Sequence, residues 1–277
     1  MIRDTPAGDR VVLLCSVRGC GEPLTRDGRS LTCPRRHSFD LARSGYVNLL
    51  QVLDRRSRRP GDSKEAVAAR RRFLARGHAE PLVRAMSAMI GGGPILDAGC
   101  GEGHHLAAFR AASGAEAHGV DISVPAIDLA ARTYRDCTFV VANADRFLPY
   151  ADQSFAAITS ITARLHAAEF RRVLKPDGIL IVAVAAPDDL IELRGAILGE
   201  GKRIDRTESA VTTLESHFTL QRLESVRTIA HLDREAIADV MTSSYRAMRL
   251  RERERLETLG EMDVTLSRDV LVLGPRA

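Results

Sequence analysis

Four residues near the start of the chain have the types and spacing of a metal site. Cys15, Cys20, Cys33 and His37 form the pattern C-x4-C-x12-C-x3-H. Two close pairs separated by a loop converge on a tetrahedral set of three thiolates and one imidazole, soft ligands suited to zinc. Such a set leaves no position for water, so the expected ion is structural rather than catalytic. Clustered cysteines in a chain of this kind point to metal before disulfides. Cys100 and Cys137 lie far along the chain and read as core or pocket-wall thiols.

A second group of residues has the pattern of a nucleoside pocket. Leu96-Asp97-Ala98-Gly99-Cys100-Gly101-Glu102-Gly103 follows an apolar run and opens a helix. Glycines there let the backbone turn sharply and approach a ligand without a Cβ in the way. Asp121, 18 residues past Gly103, ends the next apolar run, with Ile122 beside it. A carboxylate at that place accepts hydrogen bonds from both hydroxyls of a ribose. Asn143-Ala144-Asp145 ends the third run, where a carboxylate can bond the exocyclic amine of adenine. Dinucleotide enzymes share the first two features. Asp97 and Glu102 disfavour a pyrophosphate and tolerate a sulfonium and an amino group, so the expected cofactor is S-adenosylmethionine (SAM).

The elements that must position these residues follow from periodicity. ILDAG, AEAHGVDIS, CTFVVANAD, SFAAITSI and GILIVAVAA alternate with helical stretches from His104, Pro125 and Ala167. That alternation predicts an α/β fold with a doubly wound, Rossmann-like parallel sheet. FTLQRLESVRTIAHL and DVTLSRDVLVLG supply the last strands, with a helix around Asp233 to Met241 between them. Residues 1–50 have short apolar runs broken by Gly and Pro and read as a small zinc-binding module. Residues 51–93 read as a basic linker with helices from Lys64 to Arg76 and from Glu80 to Met89, and residues 94–277 as the SAM domain.

Bulk properties narrow the class further. Hydrophobic residues make up 45% and charged residues 27% of the 277, an ordinary globular composition. No run approaches the ~20 apolar residues that span a bilayer. The start, MIRDTPAGDR, lacks the apolar core of a signal peptide, which places the protein in the cytoplasm. The net charge of +4 is concentrated in Arg55, Arg56, Arg58, Arg59, Lys64, Arg70, Arg71 and Arg72, against only Asp62 and Glu65 in that stretch. Clustered guanidinium groups attract phosphate. With 4% aromatic residues, stacking platforms for single-stranded nucleic acid must be few.

The sequence resembles the RlmA-type 23S rRNA guanine-N1 methyltransferases. The residues that carry the resemblance are Cys15 to Leu50, with HSFDLARSGYVNLL most specific, and GDSKEAVAARRRFLARGHAEPL, LDAGCGEGHH and AAEFRRVLKPDGILIVA. It implies a class I methyltransferase fold and methylation of guanine N1 in a 23S rRNA hairpin, which in antibiotic producers confers macrolide resistance. It also implies RNA binding by the zinc module and homodimers. Carried over by position, the metal ligands are Cys15, Cys20, Cys33 and His37. The cofactor residues are Asp97, Gly99, Gly101, Asp121 and Asn143 to Asp145, with Arg70, Gly77 and His78 secondary. This chain departs from the family in the longer first cysteine spacing, in Ala163-Arg164 where the family has Ala-Pro, and in Ala79 where an aromatic is usual.

Guanine N1 carries a proton and is nucleophilic only once that proton leaves, so the reaction needs a base or a group that stabilises charge on O6. Candidates lie at the end of SFAAITSI and just beyond it: Ser160, Thr162, Arg164, His166 and Glu169. Arg164 is expected to stabilise O6 and His166 to take the proton. Two other readings use the same residues. A small-molecule methyltransferase would keep the metal module for folding, and a catalytically silent RNA-binding protein would not bind SAM.

Overall fold

The structure is a computed structural model and describes residues 11–54, 60–199, 203, 205–244 and 250–276. The basic residues Arg55, Arg56, Arg58 and Arg59 lie outside the described residues.

The chain begins with a three-stranded antiparallel sheet of β1 (Thr25–Asp27), β2 (Ser30–Thr32) and β3 (Ser38–Asp40). β4 (Val47–Asn48) then leaves this small sheet and pairs in parallel with a strand of the large one. A short 3-10 turn at Val52–Asp54 precedes α1 (Lys64–Ala75) and α2 (Glu80–Ser87). Ser63 caps α1 by accepting from the N–H of Ala66, and the left-handed Gly77 follows its end.

The alternating part follows as β5 (Ile95–Ala98), α3 (His104–Ser113), β6 (Ala117–Asp121), α4 (Val124–Thr133), β7 (Thr138–Val141), β8 (Phe155–Ile161), α5 (Ala167–Val173) and β9 (Leu174–Ala185). Beyond it lie α6 (Ile191–Leu198), α7 (Thr207–Leu214), β10 (Phe218–Leu232), α8 (Arg234–Ser244), α9 (Leu250–Thr258) and β11 (Met262–Pro275). The eight-stranded sheet has the order β10-β11-β9-β8-β5-β6-β7-β4. It is parallel from β4 to β9, and β11 and β10 add antiparallel. The order reverses between β5 and β8, the place where open α/β sheets hold ligands at the carboxyl ends of their strands.

Two helices, α7 and α9, stand where the sequence signalled none. TESAVTTL is rich in β-branched residues, and LRERERLET has too few apolar positions for a helical stripe. Asp205 starts α7 by accepting from the N–H groups of Thr207 and Glu208.

The core has apolar clusters on both faces of the sheet. The first joins Leu13, Cys15, Leu31, Cys33, Val47 and Leu49 of the N-terminal segment to Tyr150, Phe155, Phe170 and Leu180. The second packs α2, α3 and α4 against the other side through Met86, Leu106, Phe109 and Ile127. A third, around Leu193, Ile237 and Met241, lies with α6 and α8. The apolar run of β9 is covered on both faces, as its composition requires.

Candidate metal centre and cofactor site

The four metal-ligand candidates converge. One ligand atom from each of Cys15, Cys20, Cys33 and His37 lies within 4.8 Å of the others. The Sγ atoms of Cys20 and Cys33 are 3.8 Å apart, and His37 Nδ1 is 3.4 Å from the Sγ atoms of Cys15 and Cys33. A tetrahedron with Zn–S bonds of about 2.3 Å has S···S edges of about 3.8 Å, so the donor set fits zinc in size and chemistry. The longer C-x4-C knuckle is absorbed by two left-handed glycines, Gly19 and Gly21, with Gly21 N–H bonded back to Cys15 O at 3.2 Å. Burial pushes the Cys15 thiol up to about 12, so metal binding there must displace a proton.

The glycine loop leaves β5 and turns at Gly99, Gly101 and Gly103, all with positive φ. A Cβ on Gly99 would collide with that of Ala163, which draws the segment after β8 against the loop. Asp121, at the tip of β6, accepts from Gly101 N–H at 3.0 Å through Oδ2 and from Ser123 N–H at 2.7 Å through Oδ1. Burial still raises its pKa despite these bonds. A carboxylate has about four acceptor positions, so two remain for a diol. Asp97 is buried and accepts from Thr159 Oγ1 at 2.8 Å; burial raises its pKa to about 7.

Glu102 corrects the electrostatic expectation. Its Oε2 accepts from Arg70 Nε at 2.8 Å, and Arg70 also pairs with Asp62 at 2.8 Å. The negative character of the loop therefore rests on Asp97 and Asp121, with Glu102 neutralised. Arg70 is the residue of α1 that reaches the loop, where a Cβ on Gly101 would stand 3.3 Å from its guanidinium. Further along α1, Arg72 pairs with Asp239 of α8 at 2.6 Å, so part of the basic stretch is neutralised by the protein's own carboxylates. His78 packs against Phe73 instead, with ring centroids 4.8 Å apart.

At the third strand tip, Asn143 serves the backbone. Its Oδ1 accepts from Asp145 N–H at 3.1 Å, and its Nδ2 donates to Asp54 O at 3.0 Å. Ala144 packs against the first core cluster and Ile122 against the second. Asp145 faces Arg164, whose Nη1 is 3.4 Å from Oδ2.

The segment after β8 revises the expected base. His166 Nδ1 accepts from Glu169 N–H at 3.3 Å and caps α5. The neutral ring then carries its proton on Nε2 and presents a donor, so it cannot take the guanine proton in that tautomer. Glu169 is bound by Leu148 N–H at 2.7 Å and by Arg172 at 2.6 and 2.9 Å. Thr162 sits in the left-handed region with φ 51°, a strained place for a β-branched residue. Ser160 Oγ is buried without a hydrogen-bond partner. His105 lies in the first turn of α3, with its ring against that of Phe109. Burial, then the charges of His104, Arg268 and Arg70, hold its pKa down to about 3.

Comparison with known proteins agrees with this geometry. Residues 95–178 match the family described as methyltransferase domain, and residues 14–58 match the zinc ribbon described as RlmA, N-terminal. The 23S rRNA (guanine(748)-N(1))-methyltransferase of Streptomyces fradiae is 36% identical over 231 residues, covering 80% of this chain and 81% of that protein. A Bacillus subtilis (strain 168) protein, provisionally named a 23S rRNA (guanine-N(1)-)-methyltransferase, is 34% identical over 265 residues, covering 88% and 91%. Among solved structures, a Haloferax volcanii methyltransferase, provisionally named as such and solved in complex with the activator Trm112, shares the fold. It has a TM-score of 0.50 and 20% identity, over 77% of this chain and 99% of that one. Fold, ribbon and relatives define a SAM-dependent class I methyltransferase with an N-terminal zinc ribbon. The chain belongs to the RlmA family of 23S rRNA (guanine-N1)-methyltransferases.

Proposed function

We propose that the protein transfers a methyl group from SAM to N1 of a guanine in a 23S rRNA hairpin. The observation that carries this reading is the convergence, on one sheet, of a glycine loop with Asp97, Asp121 and Asp145 at neighbouring strand tips, in a chain that also forms a complete zinc ribbon. Asp121 holds the ribose, Asp145 the adenine amine, and Gly99 and Gly101 make room for the chain of the donor. Asp97 faces its positive groups.

SAM, when bound, supplies an electrophilic methyl. The chain's own residues hold guanine N1 in line with it, and positioning supplies much of the acceleration. Arg164, 70% exposed beside Asp145, stabilises the charge that builds on O6 as the N1 proton departs to solvent water. His166 donates through Nε2 to the same oxygen. The ribbon and the basic stretch that includes Arg55, Arg56, Arg58 and Arg59 bind the RNA backbone.

Among the described residues no helix is long and apolar enough to cross a membrane. We place the protein in the cytoplasm on the ground of its proposed ribosomal RNA substrate. As the family resemblance implies, the protein acts as a homodimer, and its methylation serves either ribosome maintenance or, in an antibiotic producer, macrolide resistance. Transfer of labelled methyl from SAM to unmodified 23S rRNA, followed by mapping of the modified base, tests the reaction. Label in an isolated metabolite, with none in the rRNA, would replace the acceptor.

A further inference from the structure

Asp54 occupies a junction that neither the metal ligands nor the donor pocket accounts for. It closes the 3-10 turn at Val52–Asp54, and its side chain is only 6% exposed. One carboxylate oxygen pairs with Arg146, the neighbour of Asp145. The other, Oδ1, is buried without a hydrogen bond and faces Arg18 Nη2 at 3.9 Å. Its main-chain oxygen accepts from Asn143 Nδ2 at 3.0 Å. Arg18 lies between Cys15 and Cys20 in the first knuckle. Ser16 of that knuckle accepts from Gln51 Nε2 at 3.0 Å and donates to Leu49 O. A continuous set of polar contacts thus runs from the residues between two metal ligands, through 49–54, to the turn that carries Asp145.

We propose that Asp54 is a positioning residue that couples the metal knuckle to the adenine turn, so that an occupied donor site and a closed metal site stabilise one another. This rests on the proposed donor and metal sites. Its physical basis is the demand of a buried carboxylate between two arginines. Asp54 holds the side chain of Arg146, and Arg18 of the knuckle faces Asp54 from the other side. An uncompensated charge in this place is costly, so the junction favours the arrangement in which both ends are formed. Coupling of this kind is reciprocal: whatever the metal does for donor affinity, the donor does for metal retention.

The test measures zinc release from the purified holoprotein to a chromophoric chelator, with and without saturating S-adenosylhomocysteine, alongside calorimetric titration of that ligand. In the wild type, the ligand should slow zinc release about fivefold or more. Asp54→Asn should bind the ligand about fivefold more weakly and lose the slowing, and Asp54→Glu should restore part of both. Arg18→Ala, altered at a largely exposed side chain, guards against misfolding. It leaves Asn143 and Arg146 on Asp54, so ligand affinity in the zinc-loaded variant should fall by no more than the lost coupling, about fivefold, while the slowing disappears. Wild-type zinc release that ignores the bound ligand overturns the proposal, as does slowing that persists in both Asp54→Asn and Arg18→Ala. A wild type that binds no ligand, or holds no zinc, overturns the donor or metal reading itself and this proposal with it.

Discussion

Asp97 is the residue whose ionisation bears most directly on the donor. Burial raises its pKa to about 7, far above the ordinary carboxylate value of about 3.9. Between those values the folded protein keeps a proton that the unfolded chain has released. The contribution of this group to stability is therefore greatest below about pH 4 and falls as the pH rises towards 7. A cationic ligand favours the ionised form, so SAM affinity should climb about tenfold between pH 6 and 8. Calorimetry across that range should find the rise in the wild type and a flat profile in Asp97→Asn. At Arg164, the ion pair with Asp145 gives two separable outcomes. Arg164→Ala should lower kcat about 10- to 100-fold with a small change in KM for SAM. Weakened SAM binding at unchanged kcat would assign the side chain to the adenine acid alone. The acids were legible in the sequence because each ends an apolar run. Thr159 on Asp97 and Arg70 on Glu102 were not, because long-range partners have no fixed spacing.

The elements show how much local pattern conveys. The helix from Ser63 and the strand from Phe218 to Leu232 stand where capping and alternation put them. α7 and α9 do not announce themselves: capping by Asp205 and packing on β10 sustain the first, and packing on α6, with Arg255 Nη1 donating to Ile197 O, sustains the second. Ser123 illustrates an element held from outside. It caps α4 and donates to Asp62 O at 2.9 Å, with 1% of the residue exposed. Ser123→Ala should cost about 1–2 kcal/mol in denaturant unfolding. It should also loosen the segment that brings Asp62 to Arg70. Gly99→Ala should cut SAM binding at least about tenfold while zinc content stays constant. The new Cβ meets Ala163, and the backbone there has φ +87°. A variant that binds SAM normally would show that the loop does not approach the ligand closely.

At the scale of the whole molecule, the ribbon and the transfer domain share their interior. Cys15 and Cys33 belong to the same apolar cluster as Tyr150, Phe155 and Phe170. Removing zinc should therefore lower one cooperative thermal transition of the entire chain. Differential scanning calorimetry with and without chelator decides this; an early, separate ribbon transition that left the main peak in place would contradict it. The sequence marks a change of composition near residue 50 but cannot reveal a common core, because nothing local records which apolar face meets which. The two-residue β4 makes the same point most sharply. Val47 and Asn48 follow the metal ligands in the chain, yet they complete the outer margin of the large sheet beside Val140 and Val141. The front of the protein is thus not an exchangeable cassette. Grafting a ribbon from one relative onto another would have to carry along a compatible sheet margin, and during synthesis the ribbon must wait for residues about ninety positions downstream before its last strand finds a neighbour.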